Sequence, residues 1–251
     1  MKTAAIIQAR MSSSRFPGKV METFNDKPMI QIMVERLNDS LLLDDVIVAT
    51  TTNPNDDKLC DFLKQQEISY YRGSEDNVLE RVLLSAKHFG VDVIVEVTGD
   101  CPILDPGVVD QSLGFFFRER IDYVGNTCIT STYPRGQDVK VFTTKTLEDV
   151  NARTSNPDDQ EHVSLFIYNN RDLYYCKPLP APKFYVNPKT RLTVDYHVDL
   201  DVVKIVLEAL GEKCTFRQIV DFLEENEYVI EMNGNLDVNY INDDTRYEND
   251  D

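Results

Sequence analysis

The chain has 251 residues, with 43 acidic against 26 basic side chains and a net charge of -17. That length can bury one large α/β domain or two small ones, while the acidic balance argues against nucleic acid as a partner, and no apolar run approaches the roughly 20 residues needed to span a bilayer. The first residues lack a signal-peptide pattern, and the five cysteines, at positions 60, 101, 128, 176 and 214, are widely spaced with no Cys-x-x-Cys pair, so a reduced, soluble, cytoplasmic protein with neither a disulfide framework nor a zinc site is expected.

In chain order, residues 3–8 carry the apolar run Ala4-Ala5-Ile6-Ile7 and read as a buried strand. Next comes Ala9-Arg10-Met11-Ser12-Ser13-Ser14-Arg15-Phe16-Pro17-Gly18-Lys19, in which Pro17-Gly18 breaks regular structure and three cations share a loop. Residues 1–21 contain Lys2, Arg10, Arg15 and Lys19 and no acid, within an otherwise acidic chain. Such a local reversal of sign marks an anion site. Two guanidiniums can clamp phosphate oxygens bidentately, a lysine adds a mobile point charge, and serines and exposed amides supply neutral donors, the combination that a triphosphate requires. Neither the Walker spacing nor Gly-x-Gly-x-x-Gly is present, so this is a phosphate loop of another kind. The simpler alternative is a solvated surface loop.

The pattern then predicts a helix over 29–37, a strand over 46–50, a helix over 57–66, a strand over 68–71 and a helix over 76–89. Residues 91–97, with four valines and an isoleucine, have the β-branched density of a central parallel strand. Asp105-Pro106 opens the next helix. Beyond it the alternation weakens to short strands, such as 139–142 and 174–177, around a helix over 161–169. Amphipathic helices follow over 197–210 and 215–226. From 221 to 251 there are eleven acids and one base, and the last ten residues read as a solvated tail. The expected architecture is α/β, a Rossmann-like, mostly parallel sheet flanked by helices. One domain spans 1–241, with an insertion at roughly 123–190, and an acidic tail covers 242–251.

Several positions carry two readings. Asp100, in Val97-Thr98-Gly99-Asp100-Cys101-Pro102, either caps the turn before Pro102 or, lying at the same sheet edge as the phosphate loop, offers hard carboxylate oxygens to magnesium. Asp195 in Thr193-Val194-Asp195-Tyr196-His197-Val198-Asp199 has the same choice, and Asp199 falls early in the next helix, where its charge complements the macrodipole. Arg72-Gly73-Ser74-Glu75-Asp76-Asn77 is a strand-to-helix turn with Ser74 or Asp76 as cap. Arg81 either pairs locally or faces a pocket. Arg135, in Tyr133-Pro134-Arg135-Gly136-Gln137-Asp138, sits in an exposed turn, and Asn156-Pro157-Asp158-Asp159 leads into Glu161-His162-Val163. Three histidines without a Ser-His-Asp order around a glycine elbow give hydrolase chemistry little support.

The string Ala-Arg-x-x-Ser-x-Arg-x-Pro-Gly-Lys after an N-terminal strand resembles the cytidylyltransferase family that includes CMP-sugar-acid synthetases, most closely its spore-coat polysaccharide biosynthesis protein F branch. The likeness runs over about residues 2–210. It implies a fold of the nucleotide-diphospho-sugar transferase type with a small β-rich insertion near the acceptor site, and transfer of CMP from CTP to an acceptor hydroxyl with release of pyrophosphate. By the same resemblance Arg10 and Lys19 bind the triphosphate, Arg15 assists, and the backbone at Ala9 contacts cytosine. Arg72, Asn77, Arg81 and Thr98 complete the nucleotide site, although the family often carries glutamine at the position of Thr98. Asp100 and Asp195 hold magnesium. Arg135, Asp138 and His162 meet the acceptor, a sugar acid for surface polysaccharide or glycan synthesis. A homodimer joined through residues 133–186 is also implied. Two other functions stay open: nucleotidyl transfer with a different acceptor or base, and nucleotide binding without catalysis.

Overall fold

The computed structural model describes residues 1–127, 132–183, 185 and 190–236, so the acidic tail at 242–251 and Cys128 lie outside the described residues. Strand β1 (Thr3–Gln8) is buried along its apolar length, as a central parallel strand must be when helices cover both faces. A small hairpin, β2 (Thr23–Phe24) and β3 (Lys27–Pro28), leads into α1 (Met29–Leu37). Then come β4 (Asp45–Thr51), α2 (Asp57–Gln65), β5 (Ser69–Gly73), α3 (Val78–Phe89), β6 (Val93–Thr98) and α4 (Pro106–Glu119). Helix α3 starts on Asn77, whose side chain accepts from Glu80 N, and not on Ser74 or Asp76. Asp105 caps α4 and Pro106 occupies its first turn, as the dipeptide predicts.

After β7 (Tyr123–Gly125) and β8 (Lys140–Thr143), helix α5 (Thr144–Arg153) appears where no helix was expected, started by the Thr143 hydroxyl accepting from Thr146 N. The single helix expected over 161–169 is two, α6 (Pro157–Glu161) and α7 (Leu165–Asn169). They are parted at Val163, a fully buried β-branched residue with φ +48°, a conformation that side chains of this shape tolerate only when packing holds them there. Strand β9 (Cys176–Pro178) and helices α8 (His197–Leu210), α9 (Phe216–Glu225) and α10 (Glu227–Asn233) complete the described chain. The last of these has no counterpart in the sequence reading.

The main sheet has seven strands in the order β5-β4-β1-β6-β8-β7-β9, so the short strands of the 123–190 region extend the sheet itself. Strands β5, β4, β1 and β6 run parallel, β8 is antiparallel to both β6 and β7, and β9 is parallel to β7. Alternation along β1 sorts its side chains, with Ala5 and Ile7 packing among residues of α1, α2 and α4 while Ala4 and Ile6 pack among residues of α3 and α5. A third cluster joins α8, α9 and α10 to Phe16, Met29, Ile103 and Val194. Each fully buried leucine or isoleucine in these layers contributes about 2–5 kcal/mol against truncation to alanine.

From β1 the chain moves outward through β4 to β5, then returns to place β6 on the other side of β1. The strand order therefore reverses between β1 and β6, and the crevice at their carboxyl ends is where an open α/β sheet binds its ligand. Gly99 lies at that point. A Cβ there would come within 3.0 Å of the Ala9 Cβ and 3.1 Å of the Gln8 oxygen, so glycine lets the two strand ends close together.

Candidate active site

A cavity of about 710 Å³ opens over this crevice. It is lined by Gln8, Thr98 and Gly99 at the strand ends, by Ala9, Arg10, Arg15 and Lys19 of the phosphate loop, by Glu75, Asp76 and Arg81, and by Pro157, Glu161 and His162. The phosphate loop is anchored beneath by Asp56, a fully buried carboxylate that accepts from Met11 N at 2.7 Å and from Thr51 N. The left-handed Gly18 closes the loop, its amide donating to the Met11 carbonyl at 2.8 Å.

At the centre, Lys19 Nζ lies 2.9 Å from Asp100 Oδ2 and 3.0 Å from Asp195 Oδ1. Arg15 reaches the same Asp195 oxygen at 2.8 Å. Asp100 also accepts from the Thr98 hydroxyl at 2.6 Å, so Thr98 turns toward the carboxylate. Burial pulls the Lys19 pKa down, but the Asp100 and Asp195 charges outweigh it and hold the ammonium above its ordinary value. Burial likewise pushes Asp100 up, and the Lys19 charge with the Thr98 hydrogen bond reverses this to hold it below the usual carboxylate range. The two aspartates, 95 positions apart in the sequence, thus converge on one cationic point.

That donor set fits magnesium. Among the described residues no group of three or more His, Cys, Asp and Glu side chains forms a metal cage. Two convergent carboxylates suit a cation that keeps waters and takes its remaining ligands from substrate phosphates.

Other expected residues are distributed unevenly. Ala9, Arg10 and Arg81 line the cavity, as does His162. Arg10 approaches Glu75 at 3.8 Å, and Glu75 also accepts from Ser12 at 2.9 Å and Asn53 at 2.7 Å, which together hold its carboxyl below the usual range. Glu75 was no candidate in the sequence, where its only visible context was a polar turn. Arg81 is buried, donates to the Ser74 and Glu75 carbonyls and makes no carboxylate ion pair among the described residues, and burial brings its pKa to about 10. Arg72, Asn77, Arg135 and Asp138 are not in the cavity lining. Arg72 donates to the Thr51 and Asn53 carbonyls and pairs with Asp57 at 2.7 Å, and Asn77 is the cap of α3. The Arg135 backbone bridges to Arg191 and accepts from Leu192 N at 2.8 Å. Asp138 accepts from Gly136 N at 2.7 Å, and burial raises its pKa.

Asp199 does more than complement a helix dipole. It is fully buried and takes hydrogen bonds from Asp195 N and Tyr196 N, both 2.9 Å, and from Arg191. No sequence signal distinguished this from an ordinary first-turn acid.

A family model described as cytidylyltransferase matches residues 4–234. The spore coat polysaccharide biosynthesis protein SpsF of Bacillus subtilis is 33% identical over 213 residues, covering 83% of this chain and 87% of that protein. A 3-deoxy-manno-octulosonate cytidylyltransferase of Geobacter metallireducens is 25% identical over 240 residues, 84% of this chain and 92% of its own. Among solved structures, a cytidylyltransferase from Leptospira borgpetersenii superposes with a TM-score of 0.87 at 30% identity, covering 96% of this chain and 100% of that one.

Proposed function

Because the chain belongs to the cytidylyltransferase family and is a nucleotidyltransferase, we propose that it transfers CMP from CTP to a hydroxyl of a sugar acid and releases pyrophosphate. The observation that carries this reading is the convergence of Lys19, Arg15, Asp100 and Asp195 where β1 and β6 end. The names of two relatives, one in spore coat polysaccharide biosynthesis and one acting on 3-deoxy-manno-octulosonate, support a carbohydrate acceptor.

In this reading the new bond joins the acceptor oxygen to the α-phosphorus, the bond from that phosphorus to the bridging oxygen of pyrophosphate breaks, and the hydroxyl proton passes to solvent. Magnesium, held by Asp100 and Asp195, would neutralise phosphate charge in the transition state. Arg10, Arg15 and Lys19 grip the departing pyrophosphate, a role for which fixed cations in a partly buried site are preorganised. Lys19 must leave its two carboxylates to do so. His162 and Glu161, which line the same cavity as the phosphate loop, hold the acceptor, and binding both substrates in one cavity supplies the orientation that catalysis needs.

Incubating the protein with magnesium, each of the four nucleoside triphosphates and a panel of sugar acids tests the proposal by pyrophosphate release. CTP-dependent release with one acceptor is expected. Release with UTP in preference to CTP, or none with any pair, would refute it.

A further inference from the structure

Helix α10 lies outside the cavity, yet its last residue closes the network that holds Asp195. Asn233 is 1% exposed. Its side-chain amide donates to Asp199 Oδ1 at 2.8 Å and to the Arg191 carbonyl at 3.1 Å. Arg191 in turn grips Asp199 with two donors, Nε to Oδ1 at 3.2 Å and a terminal nitrogen to Oδ2 at 3.1 Å, and sends that same nitrogen to Asp195 Oδ2 at 3.4 Å. Asp199 Oδ2 receives Asp195 N and Tyr196 N. The loop from Arg191 to Asp199 is therefore a closed ring, joined side chain to side chain by Arg191 and Asp199 and clipped at both ends by one amide from α10.

We infer that Asn233 is a positioning residue for Asp195, so that the C-terminal helix is part of the apparatus that sets the carboxylate geometry of the active site. The inference rests on the proposed role of Asp195. Its physical basis is that removing the Asn233 amide from this buried charged network takes one donor from Asp199 Oδ1 and leaves the Arg191 carbonyl unpaired, so that the ring holding Asp195 loses a constraint. Asn233 Nδ2 reaches both Asp199 Oδ1 and the Arg191 carbonyl, whereas Arg191 Nη1 and Asn233 Oδ1 are buried without a hydrogen-bond partner among the described residues. Val229, one turn earlier on the same helix, is buried in the core shared with α8 and touches none of these groups by hydrogen bond, which makes it a control for helix packing.

The experiment measures Mn²⁺ binding to the protein–CTP complex by water proton relaxation without acceptor, CTP binding without metal by calorimetry, and thermal unfolding. Asn233→Ala is expected to weaken Mn²⁺ by about 10–100-fold, the range typical for lost outer partners of a ligand, while metal-free CTP affinity changes less than about threefold. Val229→Ala is expected to lower Tm by several degrees and to leave both affinities as in wild type. If Asn233→Ala does not fold, Asn233→Ser, which keeps a short donor, is expected to give a smaller weakening in the same direction. Wild-type Mn²⁺ affinity in the Asn233 variants, alongside lost affinity in Asp195→Asn, overturns the positioning role. Wild-type affinity in Asp195→Asn overturns instead the reading on which it rests.

Discussion

Replacing Lys19 by methionine keeps most of the side chain's volume and removes only the charge that joins Asp100 to Asp195. At 2.9 Å and an effective dielectric of about 20, each ion pair gains about 6 kcal/mol of Coulomb energy. Desolvation offsets much of this, so removing one partner of such a buried cluster costs about 3–5 kcal/mol. Asp195 keeps Arg15 and Arg191, whereas Asp100 is left with the Thr98 hydroxyl and the Cys101 thiol. The loss should therefore be near the lower end of that range and fall almost wholly on Asp100. About 3 kcal/mol corresponds to a fall in Tm of roughly 6–12 °C for a chain of this size. Asp100→Asn alone should cost less, because Lys19 keeps Asp195, and the double variant should be more stable than the sum of the single effects predicts. The pH dependence follows the same logic. Burial pushes the Asp100 pKa up and Lys19 brings it below the unfolded value, so the carboxylate stabilises the fold above about pH 4 and loses that contribution as pH falls through its folded pKa. In Lys19→Met only the Thr98 and Cys101 hydrogen bonds still oppose burial, so the folded pKa moves up and the carboxylate contributes less to stability at neutral pH. Scanning calorimetry should thus show the Tm gap between wild type and Lys19→Met shrinking from pH 7 to pH 4.5. A constant gap, or strictly additive effects of Lys19→Met and Asp100→Asn, would refute the reasoning.

Two further substitutions separate binding from stability. Arg81→Met removes a buried guanidinium of the cavity lining that, among the described residues, donates only to the Ser74 and Glu75 carbonyls and leaves its Nε without a hydrogen bond. Charge-assisted hydrogen bonds to a ligand contribute about 1.5–3 kcal/mol, so CTP affinity per folded molecule, measured by calorimetry, should fall at least about tenfold; unchanged affinity would exclude Arg81 from the nucleotide site. Arg36→Met should act on stability instead. Its guanidinium donates to the carbonyls of Ile103, Leu104, Glu212 and Cys214, none of which lines the cavity, and leaving those buried acceptors unpaired should lower Tm by several degrees while CTP affinity per folded molecule stays within about threefold.

The sheet was legible because its signals are local. Residues 3–8 and 91–97 are mostly apolar because they lie between two helical layers, Glu96 being buried against Lys140, and Asp105-Pro106 or a dense phosphate loop starts or stops an element within a few residues. The breaks that were missed depend on tertiary packing. Nothing in Glu161-His162-Val163 forces a helix to end there, since a left-handed valine is unfavourable by itself and persists because Val163 is fully buried among residues of the second core layer. Helix α5 is hidden for a similar reason, with only Leu147 and Val150 buried along its ten residues.

The active site divides along the same line. Lys19 lies in a basic loop and Asp100 just past β6, so composition around each is enough to single it out, whereas the strand expected before Asp195 is only an isolated bridge at Arg191. What fixes Asp195 is a set of residues with unremarkable surroundings: Arg191, an acid in the first turn of α8, and an asparagine at the end of α10. Their meaning comes from contacts between positions 8 and 42 residues apart. A sequence window sees a cation, a capping acid and a polar helix end, each with an adequate solvent-exposed explanation. Only burial removes that explanation, because a carboxylate with no exposed surface must have every lone pair answered inside the protein.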